Sequence, residues 1–565
     1  MEFPQKLAAA LAACSGMDAE QLESMIEIPP DSSMGDFAFP CFRLSKALRK
    51  APPAIASELS LKLALPPFVA RTEAVGGYIN FFIKPEAYAE AVLSAVRGQH
   101  ENYGGSTEGA GRNICIDYSS INIAKPFHIG HLSSTVIGHS LYRIYQHLGY
   151  NCVGINHLGD WGTQFGKLIV AYKRWGNRAQ VERDSIRALL DLYVKFHDEA
   201  EKDERLNDEA RAWFKRIEDS DEEALSLFEW FKALTLKEVG RVYDLLGIAF
   251  DSYAGESFYN DKMSRVIEEL EEKSLLKLDQ GAYLVDLSDY GMPPCLVLRS
   301  DGATLYATRD IAAALYRKDT YDFAKCLYVV AYQQDLHFRQ WFKVVELMGY
   351  PWAKDLVHVS FGMVSLVDGT LSTRKGKVLF LEDVLNAAIE KTLEIITEKS
   401  PNLQDKPAVA RQVGVGAVVW NALYNSRIKD VVFSWDKALN FEGETGPYVQ
   451  YTHARCCAVL RKANVSDIPE DLDYRLLSDE DAMRVIRAMG DFPRAVREAA
   501  QKYEPYLVSR AVVAVCQAYN KFYYEQRIIG EEEQVEKARL ALTAAAKSVI
   551  STGLFLVGLA APERM

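Results

Sequence analysis

Between Asn113 and His131 the chain reads NICIDYSSINIAKPFHIGH, and this stretch constrains the fold more than any other. Alternating β-type residues (Ile114, Ile116, Tyr118) run into a polar turn. Apolar residues at Leu132, Val136, Ile137, Leu141, Ile144 and Leu148 then keep helical spacing, so a helix begins near His128. A second strand-like run, Asn151 to Asn156, closes a β-α-β unit, which leaves a ligand crevice at the carboxyl ends of its strands. His128, Gly130 and His131 fall at the mouth of that crevice, where free N–H groups and the helix dipole favour phosphate. Gly130 leaves room for a base or ribose against the backbone. Taken alone, two histidines at a helix start are as readily capping or solvated groups.

A chain of 565 residues is too long for one core and implies three or four domains. The absence of any uninterrupted apolar run of ~20 residues argues against a transmembrane helix, and no basic leader with an apolar segment opens the chain. Nine cysteines include no C-x-x-C, the only close pair being Cys456-Cys457, so neither a zinc ribbon nor a disulfide framework is expected. A net charge of −12 argues against a general nucleic-acid binder; any RNA must meet local basic patches.

Residues 1–110 form a segment with a helical start (Phe3 to Cys14), a turn-rich middle (Ile28 to Phe39) and proline-broken helices (Ala51 to Leu65). Its strand, Gly76 to Phe82, carries aromatic residues whose ordinary use is core packing. A glycine-rich linker, Tyr103 to Gly111, marks the boundary to a second segment, 111–412. This second segment contains a charged helical insertion at about 172–290, and Ser300-Asp301-Gly302 marks a hairpin turn. Strand-like runs at Cys326 to Ala331 and Val357 to Val364 complete its parallel sheet. Residues 413–565 are almost all helix, with Tyr448, Tyr451 and Arg455 at three- and four-residue spacings on one face. Aromatic faces with cations suit unstacked RNA bases, although such stripes also build bundle cores.

Four pieces share one expected location: the histidine helix start, Tyr306 to Asp310, the run Gln333 to His337, and the basic stretch Ser372 to Gly376. Each falls at the carboxyl end of an expected strand or on the helix after it, positions that converge in a doubly wound sheet. A loop with Arg374 and Lys375 can bring charge to a transferring phosphoryl group. If the ligand is cationic, Asp117 and Asp310 are the candidate carboxylates, since a buried guanidinium demands planar bidentate partners. Tyr306 and Asp310, four apart, share a helix face. Asp310 alone also reads as a helix-start charge complementing the dipole.

The string DYSSINIAKPFHIGHLSS resembles the arginyl branch of the class I aminoacyl-tRNA synthetases, whose first signature is the HIGH tetrapeptide. The basic stretch is similar to the second signature, the KMSKS loop, and the resemblance continues to the final Glu-Arg-Met. It implies a Rossmann-type doubly wound parallel-sheet catalytic core with a helical insertion, an α+β N-terminal domain that grips tRNA, and an all-α anticodon-binding domain. The implied enzyme is cytoplasmic and monomeric, without membrane contact or tightly bound metal. It activates L-arginine with ATP and Mg2+ to arginyl-adenylate and passes arginine to the terminal ribose of its tRNA.

By that resemblance Lys125, His128, His131, Ser372, Arg374 and Lys375 serve catalysis, while His128, Gly130, His131, Gly362 and Met363 bind ATP. Asp117, Ser120, Asn122, Tyr306, Asp310 and Gln334 take the arginine, and Asn80, Phe82, Tyr448, Tyr451 and Arg455 touch the tRNA. One departure stands out: Thr373 and Arg374 follow Ser372, where the KMSKS loop has a lysine. Lys125, three residues before His128, is thought to compensate in arginyl synthetases of this kind; a shifted register giving the role to Lys375 or Arg374 is the alternative. A tRNA-binding regulatory paralogue without ligase activity is the competing reading. The intact Lys125, His128, His131 and basic loop argue against it.

Overall fold

The computed structural model describes residues 3–29, 31–279, 281–299, 305–366 and 379–565. At its centre a four-stranded parallel sheet forms from Asn113–Asp117 (β1), Asn151–Ile155 (β2), Phe323–Tyr328 (β3) and Leu356–His358 (β4). Their spatial order is β4-β3-β1-β2, with Asp117 paired to Ile155 on one side and Tyr328 on the other. The chain therefore leaves β1 toward one edge and later fills the other. Order reverses between β1 and β3, and a crevice opens there at the carboxyl ends. Ile114, Cys115 and Ile116 have no exposed surface, which explains the nearly continuous apolar run of β1.

Three helices carry site residues: Leu132–His147 (α1) crosses from β1 to β2, Tyr306–Tyr321 (α2) precedes β3, and Asp335–Leu347 (α3) connects β3 to β4. Gly138 lets α1 lie flush against the end of β1, because a Cβ there would come within 2.2 Å of the Tyr118 Cβ. Between β2 and α2 come five helices from Thr163 to Leu246, then an antiparallel sheet of Leu276–Asp279, Ala282–Val285 and Cys295–Arg299. The charged helix faces of this insertion meet solvent through exposed pairs such as Lys215–Asp219, worth little individually. The hairpin turn expected at Ser300 to Gly302 lies outside the described residues.

The run Val357 to Val364 does not form the single strand expected of it. β4 ends at His358, and Val364–Leu366 pairs instead with Val431–Phe433 in a separate two-stranded sheet. The cause is a close crossing at Gly362. Its N–H donates to the Arg427 carbonyl at 2.7 Å, and a Cβ would lie 2.5 Å from the Lys429 carbonyl.

Cα packing divides the chain into two compact units, with one break at Tyr103/Gly104, inside the glycine-rich linker. One unit holds Met1–Tyr103, Arg455–Phe492 and Ala514–Ile550; the other holds Gly104–Ala454, Pro493–Val513 and Ser551–Met565. Of the C-terminal helical residues, Arg455–Phe492 and Ala514–Ile550 fall in the first unit and the others in the second. In the first unit Phe37–Pro40, Tyr78–Ile83 and Val69–Val75 form an antiparallel sheet with the middle strand central. Phe37–Pro40 falls in the stretch read as turns, because four residues show too little alternation to register. Helix Glu533–Leu556 is long and apolar enough on average to cross a membrane, but charged residues interrupt it and 72% of its apolar window is buried within the protein, as in the core helix of a bundle. None of the nine cysteines is in a disulfide among the described residues, and seven of them are buried.

Candidate active site

The turn after β1 is strained and tightly sewn. Ser119, Ser120 and Ala124 adopt left-handed φ values of 69°, 39° and 59°, which non-glycine residues hold only when their surroundings force them. Those surroundings are identifiable: Gly159 N–H donates to the Ile121 carbonyl, Ile123 N–H to the Gly159 carbonyl, and Ala124 N–H to the Thr235 hydroxyl. Asn122 is half-buried beside Gly159, and Lys125 reaches solvent at the end of the turn. Even so, partial burial lowers the Lys125 pKa, with Glu256 opposing the shift.

The two histidines cap the helix start. His128 Nδ1 accepts from Gly130 N–H at 3.0 Å, and His131 Nδ1 accepts from His128 N–H at 3.2 Å. The N–H groups of His128 and Gly130, expected to be free for phosphate, are thus engaged by imidazoles. For His128 the Gly130 contact sets the tautomer, with Nδ1 accepting and the proton on Nε2, whereas His131 Nδ1 lies 3.2 Å from the His128 N–H and 3.3 Å from the His128 carbonyl and can serve either. Burial lowers the His128 pKa, and burial together with His128 drives His131 down to about 3, so both rings are neutral at pH 7.

Of the two expected guanidinium carboxylates, Asp117 is already engaged. The buried Arg317 donates from Nη2 to Asp117 Oδ2 at 2.7 Å, and the Ser120 hydroxyl donates to Asp117 Oδ1 at 2.5 Å. Asp310 is more open, held on one oxygen by His337 Nε2. Tyr306, one turn earlier on α2, is 70% exposed, and Gln334 is exposed just ahead of α3. Tyr306, Asp310 and Gln334 therefore present most of the reachable polar surface, and Asp117 keeps 5% of its own.

Glu256 is the residue sequence reasoning missed. Its turn is fixed by Glu256 N–H donating to the Leu158 carbonyl, and by Ser257 bonding the buried Asp160 through backbone and hydroxyl. Glu256 pairs with Arg309 at 3.4 Å. Burial pushes the Glu256 carboxyl up to about 7; Arg309 and Lys125 pull it down, and Asp310 and Asp160 push it further up. Glu256 therefore stands within electrostatic reach of both Lys125 and Asp310. The available signal was Gly255-Glu256-Ser257 directly after a short run, near Ser252, that pairs with the end of β2.

Gly362 is buried and Met363 half-buried; the Met363 N–H donates to Asp430 Oδ1 at 2.7 Å, so both backbone donors serve the crossing already described. Ser372, Arg374 and Lys375 lie outside the described residues. Beyond them, Leu379 to Leu381 runs antiparallel to Phe127 to Ile129, with Ile129 N–H bonded to the Leu379 carbonyl and Leu381 N–H to the Phe127 carbonyl.

The expected RNA contacts are spread over several surfaces. Tyr78, Asn80 and Phe82 share the face of their strand opposite the core residues Ile79, Phe81 and Ile83; Asn80 is 8% exposed, and Arg71 stacks on Phe82 at 3.5 Å. On helix Gly446–Ala463, Tyr448 is half-buried and Tyr451 is 43% exposed. Arg455 lies over the rings of Tyr523 and Tyr524 and donates to Asn520, making a cation and aromatic platform. Phe522 is core, with no exposed surface.

Comparison with known proteins covers the whole chain. Residues 93–435 match the family described as tRNA synthetases class I (R), catalytic domain; 449–565 match the DALR anticodon binding domain; 1–83 match the arginyl tRNA synthetase N terminal domain. The chain is 56% identical to the arginine–tRNA ligase of Alkaliphilus metalliredigens, over 100% of both sequences. It is 57% identical to that of Clostridioides difficile, over 97% of each. Among solved structures, Thermus thermophilus arginyl-tRNA synthetase superposes with a TM-score of 0.80 at 24% identity, covering 100% of both chains. The Plasmodium falciparum arginyl-tRNA synthetase gives 0.81 at 21%, covering 100% of this chain and 98% of its own, and both likenesses confirm the fold.

Proposed function

The chain belongs to the class I arginyl-tRNA synthetases, and on that premise we propose that it activates L-arginine with ATP and transfers the arginyl group to the terminal ribose of an arginine-accepting tRNA. The observation that carries this reading is the interlocked pair His128 and His131 at the helix start, directly after the strained turn that ends in Lys125, with Asp310 on α2 held half-open by His337. One end of the crevice thus offers a lysine and two neutral imidazoles for phosphate. The other offers two carboxylates for a guanidinium.

In the first step the arginine carboxylate attacks the α-phosphorus of ATP in line, the bond to the bridging oxygen breaks, and pyrophosphate leaves. No protein nucleophile is needed; alignment and charge stabilisation supply the catalysis. His128 donates from Nε2 to a phosphate oxygen, the neutral His131 ring braces His128, and Lys125 places its ammonium on the charge that develops there. Asp310 and Glu256 bracket the guanidinium, while Ser120 and Asn122 lie toward the amino acid's polar end. In the second step a hydroxyl of the terminal ribose attacks the arginyl carbonyl, and AMP leaves. Mg2+ would enter on the ATP phosphates; the described residues offer no cluster of three or more His, Cys, Asp or Glu side chains for a resident metal.

The experiment is arginine-dependent charging of tRNA, run in parallel with the other nineteen amino acids. Labelled arginyl-tRNA forming at catalytic enzyme, with no other amino acid accepted, is the expected result. No product at micromolar enzyme refutes the activity.

A further inference from the structure

Arg317 retains 1% of its surface, and burial of a guanidinium at that depth is a costly choice. An aliphatic side chain of similar volume commonly packs such a position at least as well, so stability alone is a weak reason for a buried Arg–Asp pair. The geometry points to a task. Arg317 stands seven residues after Asp310 on the same helix, two turns below that half-buried carboxylate. Its Nη2 donates to Asp117 Oδ2 at 2.7 Å and lies 3.4 Å from His157 Nδ1. The other edge of Asp117 goes to Ser120.

We propose that Arg317 is a positioning residue for amino-acid activation: it commits Asp117 Oδ2, so that Oδ1, shared with the Ser120 hydroxyl, is the oxygen left for the α-ammonium group of the substrate. The inference rests on the arginine-activating function above. A carboxylate with both oxygens open is the natural bidentate partner of a guanidinium. Arg317 removes that option from Asp117 by holding Oδ2 through its single Nη2 contact. An ammonium needs only a single well-placed acceptor, and the strained turn holds Ser120 in place to complete it. Guanidinium recognition then falls to Asp310 and Glu256, and the pocket reads the two ends of arginine with different carboxylates.

The test is pyrophosphate exchange in the presence of tRNA, with 5-guanidinovalerate, which is arginine without its α-amino group, as a competitive inhibitor. Wild-type enzyme that exchanges no pyrophosphate with arginine refutes the activity itself, before any variant is compared. Given an active wild type, Arg317→Met is expected to raise the KM for arginine about tenfold or more, the loss of one charge-assisted contact. The KM for ATP and the inhibition constant of 5-guanidinovalerate should stay within about twofold, and Arg317→Lys should recover part of the loss. A folded Arg317→Met with an unchanged arginine KM overturns the proposal, as does 5-guanidinovalerate weakening in step with arginine. Should Arg317→Met fail to fold, Asp117→Asn is read in the same way: arginine weakened and the deamino analogue spared supports the proposal, and both weakened together overturns it.

Discussion

His337 Nε2 lies 2.6 Å from Asp310 Oδ2, a contact that joins the first turn of α3 to the carboxylate best placed for a guanidinium. A carboxylate accepts, so the imidazole donates and fixes the plane of the carboxyl group, much as outer-shell partners orient metal ligands. His337→Ala is expected to raise the KM for arginine about three- to tenfold with kcat nearly unchanged, the pattern of lost uniform binding. Steady-state exchange kinetics check it; a fall in kcat at constant KM would assign His337 to the chemical step instead.

Lys125→Ala should slow adenylate formation by about a hundredfold or more while changing arginine binding little, as expected of a contact made mainly in the transition state. Lys375→Ala is the companion variant. Normal activation by Lys125→Ala together with failure of Lys375→Ala would move the charge to the basic stretch.

Glu256 carries the clearest pH dependence. Its carboxyl, raised to about 7 by burial, is protonated as pH falls through that value, and a neutral acid attracts a guanidinium less. The substrate guanidinium stays charged throughout, so the KM for arginine should rise as pH drops from 8 to 6. Glu256→Gln should have a high KM at every pH and lose this limb. A limb that survives in Glu256→Gln belongs to another group.

His139, in α1, has no hydrogen-bond partner on either ring nitrogen and borders a cavity of about 10 Å3 lined by Val136, Leu246, Ile248, Val419, Val557 and Gly558. Burial, and secondarily Arg143, lowers its pKa to about 3. The unfolded chain takes up this proton near pH 6.5 and the folded one does not, so stability is lost as pH falls from 6.5 toward 3. At pH 5 the penalty is about 2 kcal/mol. His139→Leu should therefore lose less in Tm than wild type between pH 7.5 and 5; equal losses would show that His139 stays neutral in both states.

On the RNA side, Tyr451→Ala and Tyr448→Ala are expected to weaken charging at limiting tRNA, by about 1–3 kcal/mol for each lost base stack, and to spare the rate at saturating tRNA. A drop in Tm with unchanged tRNA affinity would make these tyrosines packing residues. The exposure of Tyr451 favours the first outcome.

What the sequence revealed was local. The strand, polar turn and helix from Asn113 to His147 follow from alternation and spacing, and the order of strands and helices places His128, Asp310 and Gln334 at one end of the sheet. Partnerships across the chain were not legible. Asp117 reads as an open carboxylate until Arg317, 200 residues later, is seen to fill one of its edges. Glu256 carries no periodic signal, and its importance comes from a turn pinned to Leu158 and Asp160. The break at Gly362 depends on the backbone of Lys429, and the helix-capping imidazoles depend on rotamers that no spacing rule reports.

The discontinuous unit has a consequence for the order of events at the ribosome. Arg487 pairs with Asp36, the Tyr103 hydroxyl bonds the Met489 carbonyl, and Arg97 bonds the Pro469 carbonyl, so the N-terminal segment completes its unit only with residues made after position 454. Those partners are separated from Tyr103 by about 350 residues of the other unit. At ~5–20 residues per second, the newborn N-terminal segment waits roughly 20–70 s for its final contacts, while the catalytic sheet between them is still being synthesised. For all of that time Asp36, Arg97 and Tyr103 lack the partners that close their unit, so the first 103 residues cannot reach their final packing until the residues after position 454 begin to emerge.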